Sequence, residues 1–472
     1  MHVVEHRGGL PGDQRMALTV IGTGYLGLTH AVCMADLGHD VLAMDTDENR
    51  IATAARAEAP FFEPGLQPLL RKNIDAGRLR FTTSAAAVAD FGSVHFLCVG
   101  TPQSADGSAD LGQLHAAVDA LAPYLRRRCL VAGKSTVPVG TARDVLARIG
   151  GAAPAGHGVQ VAWNPEFLRE GMAVQDSLSP DRLVFGVTSD WAAGQLRQAY
   201  ARPLAAGVPG LVMDLETAEL VKMSANAFLS TKISFINAMA EVCEAAGADV
   251  VRLADALSHD ERIGSRFLSP GLGFGGGCLP KDIRAFRAAA SRLGVGSVVD
   301  LLGNVDAINL GRRSRVAALA REAAGGSLAG RRVAVLGVAF KPGSDDVRDS
   351  PSLDVCARLT EEGAVVSVHD PVAMPNAARI LPALRYAPSV LDAADAADLV
   401  LHLTEWADYQ AVDPAMLADV VASPTIIDGR CALDAGLWRA AGWTVLAPGR
   451  PAGMPAFGDP RTPPPHHEGA LR

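Results

Sequence analysis

A glycine-rich segment with a cysteine near its end carries the residues best suited to covalent chemistry. It runs from Gly271 to Asp282 as GLGFGGGCLPKD and contains five glycines. Because glycine weakens helices and strands, these positions are expected to let the backbone approach a ligand or another backbone closely. The Lys281 ammonium and turn N–H groups would favour a thiolate at Cys278, and Asp282 adds a possible base. The pattern indicates a nucleophilic cysteine, with a buried structural cysteine as the alternative.

A second chemical pattern lies near the N-terminus. A predicted buried strand, Ala17–Ile21, leads into GTGYLG at residues 22–27, then a helix, then a second strand that ends on Asp45. The glycines of this pattern allow a pyrophosphate to approach the helix N-terminus, and the acid accepts from ribose hydroxyls. We therefore predict dinucleotide binding, with NAD favoured over NADP because Asp45 would repel a 2′-phosphate. Arg50 is either a second ligand on the adenosine side or a solvated charge on a helix.

Three polar segments follow further predicted strands. Strands at residues 94–99, 130–133 and 159–163 lead into GTP (100–102), KSTVPVG (134–140) and NPEFLREG (164–171). Ligands of open parallel sheets bind outside the carboxyl ends of the strands, so all three segments are predicted to face one crevice. Glu166 and Glu170 are expected to share a helix face, which suits acid–base or ribose-contact work. The alternative is a solvated helix start whose carboxylates face the positive end of the helix dipole.

The longest helical pattern spans residues 214–246. Asp214 can cap it and Gly247 can end it, and such a helix would be roughly 50 Å long. Apolar residues occupy most of its circumference, which predicts a largely buried helix. One polar stripe interrupts that surface and indicates a polar cleft: Lys222, Asn226, Ser230 and Ser234.

A second α/β unit begins near residue 332. A buried strand is predicted at residues 332–337, and a second at residues 364–368 precedes Asp370. The first turn lacks G-x-G-x-x-G, which argues against a second dinucleotide site. Lys341, Arg348 and Arg430 are the cations available to hold a phosphorylated ligand, although each alone could be a surface charge.

Composition limits the possible partners and location. The length of 472 residues predicts two or three domains, and a net charge of -8 argues against a broad nucleic-acid-binding surface. The seven cysteines are scattered without C-x-x-C spacing, which favours reduced thiols over a disulfide framework or a metal site. Residues 1–14 lack the apolar region of a signal peptide, and no run of about 18 apolar residues occurs. We expect a cytoplasmic protein with no metal, no nucleic-acid partner and no membrane span.

Several motifs together resemble one known family. Over residues 17–445, the order of these motifs resembles the UDP-glucose/GDP-mannose 6-dehydrogenase family. The motifs are GTGYLG, CVGTP, KSTVPVGT, NPEFLREG, KMSANAFLSTKISFIN, GFGGGCLPKD and FKPGSDDVRDSP. The NAFLSTKISFIN part is most similar to the UDP-glucose branch of that family. The resemblance implies an α/β fold: two Rossmann-like doubly wound domains joined by a long central helix and a helical dimerisation region. The implied boundaries are 15–212 for the NAD-binding domain, 213–325 for the central domain with the cysteine loop, and 326–448 for the UDP-sugar-binding domain. Residues 1–14 and 449–472 lie outside the resemblance, and we expect them to be disordered tails.

The resemblance also assigns roles by position. Cys278 would be the nucleophile, Lys222 and Asp282 would manage the proton and water, Asn226 and Thr136 would support them, and Glu166 would assist thioester hydrolysis. The implied cofactor contacts are Gly22, Gly24, Tyr25, Leu26, Gly27, Asp45, Arg50, Thr101, Ser135, Thr136, Glu170, Lys281 and Arg348. The implied substrate contacts are Phe167, Leu168, Arg169, Glu170, Lys222, Asn226, Arg262 of a neighbouring subunit, Phe267, Gly273, Phe274, Gly275, Phe340, Lys341 and Arg430. The chain departs from the family at Gly277, where a serine is often found.

The implied reaction is a four-electron oxidation of UDP-glucose to UDP-glucuronate with NAD, in a homodimer or higher homo-oligomer. Cys278 would capture the aldehyde as a thiohemiacetal, which a second oxidation converts to a thioester. GDP-mannose or another nucleotide sugar is an alternative substrate. A β-hydroxyacid dehydrogenase would give Cys278 no role, and an NAD-binding regulator would bind without turnover.

Overall fold

The computed structural model describes residues 15–451, which form two compact units. One consists of residues 15–225 together with Ala288–Gly294, and the other of Asn226–Arg287 together with residues 295–451. Residues 1–14, and residues 452–472 of the predicted C-terminal tail, lie outside the described range. Within that range, no helix combines the length and apolar character that crossing a bilayer requires.

The first unit is built on one eight-stranded sheet. Its strands are β1 (Ala17–Ile21), β2 (Asp40–Met44), β3 (Leu79–Thr82), β4 (Val94–Leu97), β5 (Cys129–Gly133), β6 (Val159–Trp163), β7 (Leu183–Gly186) and β8 (Gly210–Met213). The order is β3-β2-β1-β4-β5-β6-β7-β8, with every pair parallel except β6 and β7. β2 and β4 flank β1, and Ile21 pairs with both Met44 and Leu97. The loops after these three strands therefore emerge at one edge, where the strand order reverses.

Helices cover both faces of this sheet. They are α1 (Tyr25–Asp36), α2 (Glu48–Ala55), α3 (Leu66–Asp75), α4 (Ala85–Phe91), α5 (Gly112–Leu121), α6 (Thr141–Ala152), α7 (Ala173–Leu178), α8 (Asp190–Ala199) and α9 (Ala201–Ala205). Two apolar cores result, one against each face. Burial on both faces explains why the central strands are nearly continuous apolar runs.

The long helix α10 (Leu215–Ala246) begins and ends as predicted. The Asp214 carboxylate accepts from the Thr217 N–H at 2.7 Å, and Gly247 follows the helix with φ +70°. The predicted polar stripe is buried along its whole length. The prediction that the helix is largely buried is wrong for another face, where Phe228, Phe235 and Val242 are 66%, 48% and 56% exposed. Their seven-residue spacing forms one apolar stripe along the helix.

The second unit contains a six-stranded parallel sheet. Its strands are β9 (Arg332–Leu336), β10 (Val365–His369), β11 (Arg385–Tyr386), β12 (Leu399–His402), β13 (Thr425–Asp428) and β14 (Thr444–Leu446). The order β11-β10-β9-β12-β13-β14 repeats the first sheet's reversal about its first strand. The remaining helices are α11 (Val250–Ser258), α12 (Leu279–Arg292), α13 (Gly296–Ala323), α14 (Pro351–Glu361), α15 (Met374–Ile380), α16 (Val390–Ala394), α17 (Ala407–Gln410), α18 (Pro414–Ala418) and α19 (Ala435–Ala440). Two Rossmann-like domains and a long central helix are thus confirmed.

The predicted start of the C-terminal tail at residue 449 is wrong. The Gly449 N–H donates to Glu244 at 2.8 Å, and its carbonyl accepts from the Val250 N–H at 3.0 Å. Arg450 pairs with Asp249 at 3.1 Å. The folded chain therefore extends at least to Arg450. The predicted three-domain boundaries at 212 and 325 stay a prediction.

Candidate active site

The turn after β1 has the geometry of a dinucleotide cradle. Gly22 has φ +93°, and a Cβ at Gly27 would lie 1.8 Å from the Gly22 carbonyl oxygen. These two positions require glycine for the turn and for close packing of α1. Around Gly24, the residue preceding α1, a Cβ would meet no atom within 4 Å. The helix N-terminus thus offers open space and N–H groups to a pyrophosphate.

Asp45 lies at the end of β2 and is fixed toward this turn. One carboxylate oxygen accepts from the Thr23 N–H at 2.8 Å and the Thr23 hydroxyl at 3.0 Å, and the other accepts from the Asp47 N–H at 3.0 Å. Burial opposes ionisation, but these hydrogen bonds outweigh it and lower the pKa of Asp45. Arg50 is half-exposed, with its guanidinium 3.8 Å from Asp45. Asp45 is therefore a carboxylate oriented at the cradle.

Glu63 connects the cradle to the NPEFLREG segment, and sequence analysis missed it. Its buried carboxylate accepts from the Tyr25 hydroxyl and, at 2.7 Å each, from the N–H groups of Gly171 and Ala173. Burial, followed by the hydrogen bond to Glu63, raises the pKa of Tyr25. Leu26, the next residue, packs against the core of the unit. A single glutamate in a loop has no spacing pattern that could have identified it.

The loops after β4 and β5 are joined by side-chain-to-backbone hydrogen bonds. The Thr101 hydroxyl donates to the Thr136 carbonyl at 2.8 Å, and the Ser135 hydroxyl donates to the Val99 carbonyl at 2.6 Å. Thr101 and Ser135 are buried, whereas Thr136 is half-buried. The structure therefore brings these three predicted residues together at the edge of the sheet.

Glu166 forms a buried ion pair with Lys222, at 3.0 Å between Oε1 and Nζ. The prediction that Glu166 and Glu170 share a helix face is wrong, because residues 164–170 are irregular and α7 begins only at Ala173. The other Glu166 oxygen accepts from the Leu168 N–H at 2.5 Å, a local bond that competes with helix formation.

The neighbouring residues of this segment have their own partners. The Arg182 guanidinium carbon lies over the Phe167 ring, 3.8 Å from the ring centroid. The Lys222 ammonium is 5.7 Å from the same centroid. Arg169 pairs with Asp176 at 2.6 Å. Leu168 and Glu170 are half-buried. The segment thus presents a mixed apolar and charged surface next to the Lys222–Glu166 pair.

Cys278 differs from the other cysteines of the chain. All seven lie among the described residues, and the other six are buried, whereas Cys278 is half-buried. Burial raises the pKa of thiols such as Cys98 and Cys356 to about 12, which leaves them unreactive. Partial exposure makes Cys278 the thiol that a substrate can reach.

Three consecutive glycines place the Cys278 loop against residues 340–351. The Gly276 N–H donates to the Arg348 carbonyl at 2.9 Å. Added Cβ atoms would lie 2.3 Å from the Asp349 carbonyl oxygen at Gly275, 2.8 Å from the Phe340 ring at Gly276 and 2.2 Å from the Arg348 guanidinium at Gly277. The expected close approach to another backbone is thus confirmed at Gly275 and Gly276.

Two asparagines and an arginine hold the first half of this loop, and sequence analysis missed all three. Asn309 accepts from the Phe274 N–H at 2.7 Å and donates to its carbonyl at 3.0 Å. At Gly271, the N–H donates to Asn237 at 2.9 Å and the carbonyl accepts from Arg312 at 3.2 Å. Gly273 has φ +92°, and its added Cβ would lie 2.4 Å from Asn309. Polar groups that satisfy both sides of a loop backbone fix its conformation.

Asp282 is buried one turn after Cys278, and its N–H donates to the Cys278 carbonyl at 2.9 Å. Its carboxylate accepts from the Asn226 amide at 2.6 Å and pairs with the Lys281 ammonium at 2.6 Å. Lys281 therefore neutralises Asp282, in addition to lying near the thiol in sequence. Cys278, Asp282 and Asn226 are brought together in the second unit.

The predicted sugar-nucleotide cations have varied surroundings. Arg430 donates to the carbonyls of Leu403 at 2.7 Å, Gly273 at 3.0 Å and Phe340 at 3.0 Å. Lys341 is half-buried, with its ammonium 5.5 Å from the Phe340 ring centroid. Arg348 and Arg262 are 63% and 88% exposed and pair with Asp346 and Asp260. Phe267 is half-buried with φ +63°.

Comparison with known proteins identifies three consecutive domains of one family. Residues 16–203 match the NAD binding domain of the UDP-glucose/GDP-mannose dehydrogenase family, residues 216–310 its central domain and residues 334–435 its UDP binding domain. The predicted resemblance and the NAD cofactor are confirmed, as is the assignment to oxidoreductases.

Individual relatives agree. A UDP-glucose 6-dehydrogenase of Rhizobium meliloti is 41% identical over 418 residues, 88% of this chain and 95% of the relative. UDP-glucose 6-dehydrogenase YwqF of Bacillus subtilis is 39% identical over 442 residues, 93% and 99% of the two chains. A UDP-glucose dehydrogenase from Pyrobaculum islandicum superposes with a TM-score of 0.86 and 36% identity, covering 94% of this chain and all of that one. Because these matches span all three domains, the chain belongs to the UDP-glucose/GDP-mannose dehydrogenase family.

Proposed function

We propose that this protein oxidises the C6 primary alcohol of UDP-glucose to the carboxylate of UDP-glucuronate, with Cys278 as the covalent nucleophile. The observation that carries the proposal is the half-buried Cys278 thiol one helical turn before the buried Asp282–Asn226 pair. NAD, when bound, accepts a hydride in each of two rounds. The balanced reaction consumes one alcohol, two NAD and one water, and yields one carboxylate, two NADH and three protons.

The cysteine makes the second oxidation possible. The first round removes a hydride from C6 and a proton from its hydroxyl, which leaves an aldehyde. The Cys278 sulfur adds to that carbonyl carbon, and the resulting thiohemiacetal carries a C–H bond that can donate the second hydride. The thioester that forms is then hydrolysed, which releases the acid and regenerates the thiol. Without the sulfur, oxidation would stop at the aldehyde.

Asp282 is suited to activating the hydrolytic water. Its carboxylate is buried and held by the Asn226 amide and the Lys281 ammonium, so its position is fixed. A carboxylate at the start of α12, one turn from the sulfur, can accept a water proton near the thioester carbon. We assign Asp282 as this base and Asn226 as the residue that orients it.

Lys222 is suited to stabilising negative charge on the C6 oxygen. It lies four residues before Asn226 on α10, and residues at this spacing share one face of a helix. Its ammonium is buried and paired with Glu166, an environment in which a fixed charge acts strongly on a developing oxyanion. Glu166 restrains that ammonium and is proposed to assist thioester hydrolysis, with Thr136 in support.

The cofactor and the sugar nucleotide would use different cations and acids. Asp45 at the end of β2 would accept from the adenosine ribose, and Arg348 and Lys281 would complete the NAD contacts. Lys341 and Arg430 would contact the sugar nucleotide, together with Phe340 in the loop after β9. Arg430 already presents a rigid guanidinium, because three carbonyls fix it.

We further propose a homodimer formed through α10. The exposed Phe228, Phe235 and Val242 stripe is the kind of contiguous apolar surface that a second copy would cover. Arg262, which is solvent-exposed in one chain, would then reach the partner's substrate. Sedimentation of Phe235→Glu should show monomers, and a wild-type monomer at micromolar concentration would contradict the dimer.

A panel of nucleotide sugars with NAD tests the function. UDP-glucose should be oxidised with higher kcat/KM than GDP-mannose or UDP-N-acetylmannosamine. Cys278→Ala should abolish acid formation while NAD affinity changes less than about twofold, because Cys278 is not one of the residues that form the dinucleotide cradle. Acid formation by Cys278→Ala at the wild-type rate would show that the cysteine is structural.

A further inference from the structure

Lys134 is a buried lysine that the proposed reaction does not use. It directly follows β5, is only 6% exposed, and directs its ammonium at three neutral oxygens. These are the Asn164 side-chain oxygen at 3.1 Å, the Asn164 carbonyl at 3.4 Å and the Tyr200 hydroxyl at 3.2 Å. None of these acceptors is charged. A buried ammonium hydrogen-bonded only to neutral groups is costly to maintain, which points to a use for the charge.

Asn164 connects Lys134 to the segment that contains Glu166. Its N–H donates to the Gly133 carbonyl at 2.7 Å and its side-chain amide donates to the Val184 carbonyl at 2.9 Å. The Tyr200 hydroxyl donates to its side-chain oxygen at 2.6 Å. Pro165, whose φ is fixed by its ring, separates this clamped residue from Glu166. The position of Lys134 is therefore coupled to Glu166 through two residues of restrained backbone.

Lys134 also acts on Glu166 through space. Both line one cavity of about 50 Å³, which has room for ordered water. The negative charge of Glu166 and the positive charge of Lys222 act on Lys134 in opposite directions, so the three groups form one electrostatic cluster. Burial, the largest cause, lowers the pKa of Lys134 to about 8.

Burial keeps the other groups with shifted pKa values around Lys134 neutral near that pH, including Cys33 on α1, whose pKa it raises to about 12. Burial holds the pKa of His30 on α1 well below its usual value, raises that of Cys98 to about 12 and raises that of Tyr200 far above its usual value. The remaining charged groups that line the cavity are Asp176, which pairs with Arg169, together with Asp181 and Arg182. Among the groups of this cluster whose pKa values are shifted, Lys134 is thus the one that titrates near pH 8.

We infer that Lys134 is a positioning residue for the oxidation. Its ammonium restrains the Asn164–Glu166 segment through hydrogen bonds to Asn164, and it adds a second positive charge next to the Lys222–Glu166 pair. This inference rests on the proposed function for its kinetic consequences. Its structural part, the restraint on residues 164–168, does not depend on the substrate.

The test compares Lys134→Met, Lys134→Arg and the control Lys72→Met. Methionine retains an unbranched side chain but removes the charge, whereas arginine retains the charge. Lys72 is the control because it is a half-exposed lysine of the same unit that pairs with Asp36. In Lys134→Met, kcat for UDP-glucose should fall about tenfold or more with NAD affinity changed less than about twofold. We expect a kcat inflection near pH 8 in the wild type, because deprotonation of Lys134 removes the charge. This inflection should be absent in Lys134→Met, which carries no charge, and in Lys134→Arg, whose guanidinium stays protonated throughout.

Hydrogen exchange provides a readout without turnover. Amides of residues 164 and 166–168, including the Leu168 N–H that donates to Glu166, should exchange faster in Lys134→Met and at the wild-type rate in Lys72→Met. Wild-type exchange together with a wild-type pH profile in Lys134→Met would overturn the inference. If the wild-type protein oxidises no nucleotide sugar, the proposed function fails, and the exchange comparison still decides whether Lys134 positions the segment. Should Lys134→Met not fold, Lys134→Arg decides: loss of the kcat inflection near pH 8 supports the inference, and a wild-type pH profile would overturn it.

Discussion

Gly275 and Gly277 provide a matched test of how the cysteine loop is positioned. An alanine Cβ at Gly275 would lie 2.3 Å from the Asp349 carbonyl oxygen and 2.6 Å from a Pro351 ring carbon, both parts of the main-chain framework. Ordinary contact requires about 3.4 Å, so the loop or the 349–351 segment must move by about 1 Å. A displacement of this size at reacting groups costs about a hundredfold in rate. We therefore expect Gly275→Ala to lower kcat about a hundredfold.

Gly277→Ala is the control, because its clash is with a movable group. Its Cβ would lie 2.2 Å from the Arg348 guanidinium, whose side chain is 63% exposed and can rotate into solvent. Neither glycine has a positive φ, so backbone strain does not distinguish them. We expect at most a fewfold loss of kcat, with a higher KM for NAD if Arg348 contacts it. Steady-state kinetics and thermal unfolding of both variants decide, and equal kcat values would refute the positioning argument.

Three further predictions follow from the site and the fold. Asp45→Ala should raise kcat/KM for NADP relative to NAD by at least about tenfold, because the carboxylate that repels a 2′-phosphate is gone; an unchanged ratio would mean that Asp45 does not face the ribose. Burial raises the pKa of Glu219 to about 7, so the folded protein favours the protonated form of this side chain. As pH rises from about 5 to 7.5, the free energy of unfolding of the wild type should therefore fall by on the order of 2 kcal/mol relative to that of Glu219→Gln. A difference between the two proteins that does not depend on pH would contradict this. If Arg262 acts across the dimer, mixing Arg262→Ala chains with Cys278→Ala chains should restore roughly a quarter of wild-type activity. An activity no higher than the average of the two separate variants would assign Arg262 to its own subunit's site or to no site.

The sequence was most informative where apolar runs and glycine spacing occur together. β1, β2, β4, β5 and β6 were all predicted, because buried parallel strands are continuous apolar runs. β3, β7 and β8 were not predicted. β8 is largely exposed and β3 is only partly buried, so their side chains carry little pattern, whereas β7 is a buried apolar run that the sequence analysis did not identify.

Patterns failed where tertiary contacts decide the local structure. The i, i+4 spacing of Glu166 and Glu170 fits a helix, but hydrogen bonds within the segment override that preference. Similarly, the apolar circumference of α10 could not reveal which face its own chain leaves exposed at Phe228 and Phe235.

The residues that hold the site are mostly single polar side chains distant in sequence from what they hold. Glu63 lies more than 100 positions before the Gly171 amide that it binds, and Asn309 lies 35 positions after Phe274. No local periodicity encodes such pairs. The sequence therefore indicates the groups to which we assign the chemistry as a proposal, whereas their supports required the folded structure.

The number of NADH molecules formed per UDP-glucose consumed tests the central claim most directly. A covalent cysteine intermediate requires two hydride transfers before product release, so the ratio at completion should be two, with UDP-glucuronate as the product. A ratio of one, with free aldehyde accumulating, would contradict the role assigned to Cys278.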